Sequence, residues 1–171
     1  MLFSTAFATA GDHLTTAVDA VNADVVFMRH ALAPGFGDPA KFALDDCNTQ
    51  RNLDGVGRQQ AVAIGAEIRR SETRFTEVLS SEWCRCKETT ELLNLQEWAI
   101  FSGLNSFFQN FAEKDVVLQW LDQKLNELAS GVTLMVTHQV VITAVTGQSV
   151  SSGELVAFNT RTKEVHKFRL D

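Results

Sequence analysis

Residues 25–30 read VVFMRH, four apolar residues followed directly by an arginine and a histidine. A short apolar run of this kind predicts a strand that is buried in a sheet. In open α/β sheets, ligands bind beyond the carboxyl ends of the strands. Arginine carries a rigid fork of donors that matches phosphate, and histidine can attack phosphorus or carry a proton. The stretch therefore predicts that Arg29 and His30 face a ligand site.

A second apolar run also ends in a histidine. Residues 133–138 read TLMVTH, so His138 is expected at the end of a second buried strand.

The chain between and around these runs alternates between strand and helix patterns. Strands are predicted at 25–28, 77–80, 98–101 and 134–137, and helices at 54–70, 81–93, 114–130 and 140–145. We expect Asp54 to cap the first helix, Gly131 to end the third, and Trp120 to lie on the buried face of the third.

This alternation predicts an α/β fold, a three-layer α/β/α sandwich with a mostly parallel central sheet. Residues 154–159 and 164–170 alternate apolar and polar around a turn, which predicts a C-terminal antiparallel hairpin. The strand ends near 29, 80 and 138 are expected to converge, and Arg85 would join them from the first turn of the next helix. We expect a single domain over 23–171, preceded by an N-terminal arm or signal remnant over 1–22.

Composition limits the classes of partner. The chain has 171 residues, 45% of them hydrophobic, and a net charge of −6 with no run of basic residues. An acidic chain of this kind does not favour nucleic acid as a partner. No apolar stretch is long enough to span a bilayer. A phosphorylated small molecule or phosphoprotein remains a suitable partner, because a few arginines in a cleft can reverse the local charge.

The N-terminus leaves two interpretations open. Residues 1–10 (MLFSTAFATA) are apolar and small and end in an A-x-A pattern, as in the remnant of a secretion signal, but no basic segment precedes them. The alternative is an arm or short helix of the mature domain. The expected compartment is accordingly periplasmic or secreted in the first case and cytoplasmic in the second.

The three cysteines are compatible with either compartment. Cys47 could form a disulfide with Cys84 or Cys86 in an exported protein, whereas three buried thiols are expected in a cytoplasmic one. The C-x-C spacing of the latter two has no further cysteine or histidine at metal-binding distance in sequence, so we predict no zinc site.

Four segments resemble, in order, the motifs of the histidine phosphatase superfamily, also called the phosphoglycerate mutase-like fold. Residues 26–31 (VFMRHA) resemble its R-H-G motif, and residues 53–61 (LDGVGRQQA) its L-x-x-x-G-x-x-Q-A helix opening. Residues 79–90 (LSSEWCRCKETT) resemble S-S-x-x-x-R-x-x-x-T-A, and residues 136–139 (VTHQ) the late V-x-H-G motif. Each motif is short, but together they span about residues 25 to 140.

The resemblance implies a catalytic set. His30 would be the nucleophile and would form a phosphohistidine, which divides one difficult displacement into two easier ones. Arg29, Arg85 and His138 would hold the phosphoryl oxygens, where charge develops in the transition state. No metal ion or other cofactor is implied, because arginines neutralise the charge. Arg51 is expected as a further phosphate contact.

The chain departs from the family pattern in three places. Ala31 stands where the family has glycine, and would be strained if that position required a positive φ. Gln139 replaces the glycine after the second histidine, where it could narrow the pocket or add a polar contact to the substrate. In the segment after the third predicted strand, at 98–101, no acidic residue occurs before Glu113 and Asp115, which we take as general-acid candidates.

Asp38 and Asp46, in the loop after the first motif, are further candidates for the general acid. Without such an acid, the enzyme would favour substrates with good leaving groups, as phosphohistidine phosphatases do. The sequence thus predicts a metal-independent phosphatase that acts on a phosphomonoester or a phosphohistidine. The alternative is a non-catalytic module that binds phosphate or another anion in the same pocket.

Overall fold

The computed structural model describes residues 10–170, with side chains from residue 13 onward. The strands, in chain order, are β1 (Val25–Arg29), β2 (Phe75–Ser80), β3 (Ala99–Ile100), β4 (Val132–Thr137), β5 (Leu155–Phe158) and β6 (Val165–Phe168). The helices are α1 (Ala10–Val21), α2 (Gly55–Arg70), α3 (Cys84–Leu93), α4 (Lys114–Asn126) and α5 (Gln139–Thr146). Short 3-10 turns at Cys47–Thr49, Ser102–Leu104 and Phe108–Asn110 lie in the connections.

The strands form one sheet in the order β3-β2-β4-β1-β5-β6. The first four strands in that order are parallel, whereas β5 and β6 run antiparallel to their neighbours. In the register between β1 and β4, Arg29 is level with Thr137, so the residues that follow them, His30 and His138, leave the sheet side by side. This confirms the predicted mostly parallel sheet and the C-terminal hairpin.

Helices cover both faces of the sheet, which confirms the three-layer architecture. One core joins α1, α2 and α3 to one face through side chains such as Leu14, Ile64 and Leu93. The other joins α4 and α5 to the opposite face through Leu121 and Ile142. Alternate residues of each strand point to opposite faces, so every central strand contributes to both cores.

Helix α1 belongs to the packed structure. Its buried side chains Leu14, Ala17, Val18 and Val21 lie in the core shared with α2 and α3. Residues 1–9, the greater part of the signal-like segment, lie outside the described residues. Among residues 10–170, no helix has the length and apolar character needed to cross a membrane.

Helix α2 begins where the sequence predicts, because the Asp54 carboxylate accepts a hydrogen bond from the Gly57 N–H at 2.8 Å. Helix α4 differs from its prediction in two respects. It ends at Asn126 rather than at Ser130, since the residues up to Gly131 turn the chain back into β4. Trp120 is 47% exposed. The buried face of α4 consists of Val117, Leu121 and Leu125, and Trp120 lies one position before this series.

Helices α2 and α3 approach each other closely at Gly65. A Cβ atom built on Gly65 would lie 2.2 Å from the backbone oxygen of Leu93. This approach positions α3, which carries Arg85 at its N-terminal end. By contrast, a Cβ on Gly55 would meet nothing within 4 Å.

We expect Gly65→Ala to destabilise the protein, although alanine is the better helix former. The overpacked contact costs about 1–3 kcal/mol, and the gain in helix propensity is at most about 1 kcal/mol. Urea denaturation would measure the difference. The matched variant Gly55→Ala should leave the free energy of unfolding unchanged or slightly raised. Equal stability of the two variants would contradict the close helix contact.

Candidate active site

His30 and His138 meet beyond the carboxyl ends of β1 and β4. Their ring centroids are 5.4 Å apart, and the residues are only 2% and 3% exposed. The His30 backbone N–H donates to the Thr137 oxygen at 3.0 Å, which extends the strand pairing by one residue. The two histidines that the sequence singled out therefore stand at one place in the fold.

The surroundings of His30 define its protonation state. Its Nδ1 lies 2.8 Å from the Ala31 carbonyl oxygen, which can only accept, so Nδ1 carries the proton. Its Nε2 accepts from Arg85 Nε at 3.2 Å and therefore presents a lone pair. Burial and then the positive charge of Arg85 hold the pKa of His30 well below its ordinary value. A neutral imidazole with an unprotonated Nε2 is the form that can attack phosphorus.

The guanidinium of Arg85 forms a two-point ion pair with the carboxylate of Asp38. Its Nη1 donates to Asp38 Oδ1 at 2.8 Å and its Nη2 donates to Asp38 Oδ2 at 3.1 Å. Nη1 also donates to the Arg51 backbone oxygen at 3.3 Å. The remaining edge, formed by Nε and Nη2, faces His30 Nε2 and His138 Nδ1. Asp38 thus binds the Nη1–Nη2 side of the guanidinium and leaves the Nε–Nη2 edge directed at the two histidines.

His138 is oriented by a chain of hydrogen bonds. Ser81 Oγ donates to Asn105 Oδ1 at 3.1 Å, so it accepts from His138 Nε2 at 3.0 Å. This places the proton on Nε2 and turns the Nδ1 lone pair towards Arg85 Nη2, 3.5 Å away. Burial, together with the charge of Arg85, also lowers the pKa of His138 well below its ordinary value.

Asp38 is bound in a way that does not suit a general acid. Its side chain is 5% exposed, and its two oxygens accept from Arg85, from the Arg51 backbone N–H and from Trp83 Nε1. Burial raises the pKa of Asp38, but these hydrogen bonds and the Arg85 charge outweigh it, so the pKa is lowered. Asp38 is therefore ionised and positions Arg85. Asp46 instead caps the 3-10 turn at Cys47–Thr49.

His30, Arg85 and His138 line a cavity of about 280 Å³. Six of the eight residues that the sequence assigned to the site are among its lining residues: Arg29, His30, Arg51, Arg85, His138 and Gln139. Glu113 and Asp115 are not among them, because they lie at the start of α4, as its N-cap and in its first turn. No carboxylate of the described residues lines this cavity.

Arg29 and Arg51 are held by backbone carbonyls. Arg29 Nη1 donates to Val150 O at 2.8 Å and to Gln139 Oε1 at 3.2 Å. Arg51 Nε donates to Gly37 O at 2.8 Å. Gln139 therefore orients Arg29, which gives a structural role to one departure from the family pattern. The pKa of each arginine is lowered, first by burial and then by the nearby charge of Arg85, yet both remain cationic.

Ala31, the other departure near the first motif, fits its position. It does not adopt a positive φ, and its N–H donates to Thr89 Oγ1 at 3.0 Å. The residue is fully buried, so the site requires a small side chain there and not a glycine backbone.

The cysteines form one disulfide, between Cys47 and Cys84. It joins the loop before α2 to the first residue of α3, directly next to Arg85. Cys86 is a buried free thiol, and burial raises its pKa to about 12.

The sequence alone did not reveal the roles of three residues. Asp38 was considered only as an acid, and no role was assigned to Phe36, which lines the cavity. The Gly35-Phe36-Gly37 sequence was one available indication, since glycines on both sides of an aromatic residue mark a special backbone. Ser81 was quoted only as part of a motif, although its hydroxyl fixes the tautomer of His138.

Two solved structures illustrate what this chain resembles. The protein histidine phosphatase SixA complexed with tungstate is 16% identical, with a TM-score of 0.55, over 84% of this chain and 93% of that one. A mycobacterial glucosyl-3-phosphoglycerate phosphatase complexed with VO3 is 15% identical, with a TM-score of 0.56, over 77% and 90% respectively. No protein-family model and no curated protein sequence matches the chain. The likeness is therefore one of fold.

We expect the protein to lose stability as pH falls below about 6.5. Folded His30 and His138 stay neutral there, whereas unfolded histidines take up protons, so acid favours the unfolded chain. The free energy of unfolding should fall by up to about 1.4 kcal/mol per pH unit for each histidine. Urea denaturation between about pH 7.5 and 5.5 measures this slope. His30→Gln should reduce this slope by the contribution of one histidine, up to about 1.4 kcal/mol per pH unit. An unchanged slope in that variant would contradict the neutral state of buried His30.

We expect Asp38→Asn to destabilise the protein by up to about 3–5 kcal/mol, because it leaves the buried charge of Arg85 without its counter-ion. Asp46→Asn is the matched control in the same loop, and it should be nearly neutral because asparagine caps a helix as well as aspartate. Chemical denaturation of both variants tests the difference. Equal effects would show that Arg85 does not depend on Asp38.

Proposed function

We propose that this chain, which has the fold of the histidine phosphatase superfamily, is a metal-independent phosphatase that forms a phosphohistidine on His30. One observation carries the proposal: the Nε2 lone pair of a buried, neutral His30 faces the Nε–Nη2 edge of Arg85 inside a cavity that two further arginines line. A nucleophile and preorganised donors for the phosphoryl oxygens are thus provided together.

The proposed reaction has two displacements. His30 Nε2 attacks phosphorus, the bond between phosphorus and the leaving atom breaks, and that atom departs with the electron pair. Water then attacks the phosphohistidine, the P–N bond breaks, and inorganic phosphate leaves. Arg85 Nε, which contacts His30 Nε2 in the free protein, is placed to transfer its hydrogen bond to a phosphoryl oxygen.

The charge on the phosphoryl group is met by side chains of the chain itself. Arg29, Arg51 and Arg85 all line the cavity. Three guanidinium groups can balance a dianionic phosphate, so the proposed steps need no metal ion or other cofactor. His138 Nδ1 carries no proton in the free protein, and His138 would take part as a donor only after accepting one.

The substrate is proposed to be a phosphomonoester or a phosphohistidine, on a small molecule or a protein. The similar structures are named as a protein histidine phosphatase and a glucosyl-3-phosphoglycerate phosphatase, which supports both types. No carboxylate of the described residues lines the cavity, so substrates with good leaving groups are favoured. The Cys47–Cys84 disulfide favours an oxidising compartment, either periplasmic or extracellular.

The same observation supports a second candidate, a non-catalytic module that binds phosphate or another anion. Without an acid to protonate the leaving group, the arginines alone could bind an anion without turnover. The two candidates differ in what His30 contributes, since catalysis requires its Nε2 and binding does not.

We expect the protein to hydrolyse p-nitrophenyl phosphate in the presence of EDTA, because nitrophenolate leaves without an acid. His30→Ala should lower kcat by more than about 1,000-fold, since the covalent route is lost. The binding of inorganic phosphate to the same variant, measured by calorimetry, should persist through Arg29 and Arg85. A folded wild-type protein that binds phosphate without turnover would instead support the anion-binding module.

A further inference from the structure

Two phenylalanines stand exposed on the wall of the cavity. Phe36 is 88% exposed and Phe108 is 37% exposed, and both are lining residues. Their rings meet edge to face, with centroids 5.2 Å apart. The rest of the lining carries three guanidinium groups and two histidines, so the cavity has a cationic part and an aromatic part. A ligand whose charged group binds the arginines can place an apolar remainder against one or both rings.

The loops that carry these rings are fastened to the site. Arg51 Nε donates to the carbonyl of Gly37, the residue after Phe36, at 2.8 Å. The Asp38 N–H donates to Gln109 Oε1 at 2.8 Å, which ties this loop to the segment that carries the second ring. Phe36 is therefore exposed on a loop whose backbone is held in place by hydrogen bonds. Covering the ring would remove apolar surface from water at a low cost in ordering.

No carboxylate of the described residues lines the cavity, which points independently to the same kind of ligand among phosphate esters. An ester oxygen that receives no proton must depart as an anion. A phenol, with a pKa near 10, does so far more readily than an aliphatic alcohol.

We propose that the substrate is an aryl phosphomonoester, with its phosphoryl group between Arg85 and His30 and its ring against Phe36 and Phe108. This inference rests on the proposed function. As the bond from His30 Nε2 to phosphorus forms, the bond to the phenolic oxygen breaks, and the phenolate takes a proton from water. A second water then attacks phosphorus, the P–N bond breaks, and inorganic phosphate leaves.

Phosphonates test the aromatic contact without turnover. In the wild-type protein, phenylphosphonate should bind about tenfold more tightly than methylphosphonate, measured by calorimetry, because one or two ring contacts are worth about that factor. Phe36→Ala and Phe108→Ala should each reduce this ratio to about threefold or less while leaving methylphosphonate binding unchanged. Trp120→Ala removes an exposed aromatic residue of α4 that does not line the cavity, and should leave the ratio unchanged.

The outcomes separate this inference from the proposed function. Equal binding of the two phosphonates by the wild-type protein would overturn the aryl assignment, as would an unchanged affinity ratio in both phenylalanine variants. Neither result would contradict the proposed phosphatase activity. A wild-type protein that binds neither phosphonate and does not cleave p-nitrophenyl phosphate would overturn both. Comparing kcat/KM for phenyl phosphate and a phosphotyrosine peptide assigns the ring to a free ester or to a protein side chain. Phe36→Ala should lower the larger value several-fold, and an unchanged value would count against the proposal.

Discussion

Arg85 is a buried cation, and the geometry of the site depends on how its charge is balanced. Burying a guanidinium costs several kcal/mol unless it is paired and hydrogen-bonded. Asp38 supplies the counter-ion, and the carbonyl of Arg51 and the ring nitrogens of His30 and His138 complete the set. To provide that carboxylate, the loop after β1 must close over α3. The position of Phe36 at the cavity wall is a consequence of the same closure.

The same cation determines the state of the histidines. A positive charge beside two buried imidazoles disfavours their protonation, and the Ala31 carbonyl and the Ser81 hydroxyl select the tautomers. His30, the proposed nucleophile, is thus prepared by its surroundings and would need no separate base to remove a proton. An incoming phosphoryl dianion brings the opposite charge, which would favour a proton on His138. The protein and the proposed ligand would therefore have opposite effects on the protonation of that ring.

Much of this arrangement could be predicted from the sequence, because it depends on local patterns. Apolar runs that end in Arg29-His30 and in His138 identified the two strands, and the parallel sheet brought their ends together. The pairing of Asp38 with Arg85 could not be predicted, since it joins residues that are 47 positions apart through a loop without periodicity. Trp120 was placed wrongly because helical spacing allows a residue at the edge of an apolar stripe to face either way. Whether Cys84 or Cys86 pairs with Cys47 depends on the direction in which α3 presents each side chain, which the sequence did not decide.

Cys84 and Cys86 are only two residues apart, and the fold treats them in opposite ways. The first is cross-linked to Cys47, while the second is buried beside His138 with its thiol pKa raised to about 12. Thiol–disulfide exchange requires a thiolate, and the raised pKa of Cys86 disfavours that form at neutral pH. The native state therefore disfavours exchange between this cross-link and the remaining thiol. An odd number of cysteines is in this way compatible with one defined covalent isomer.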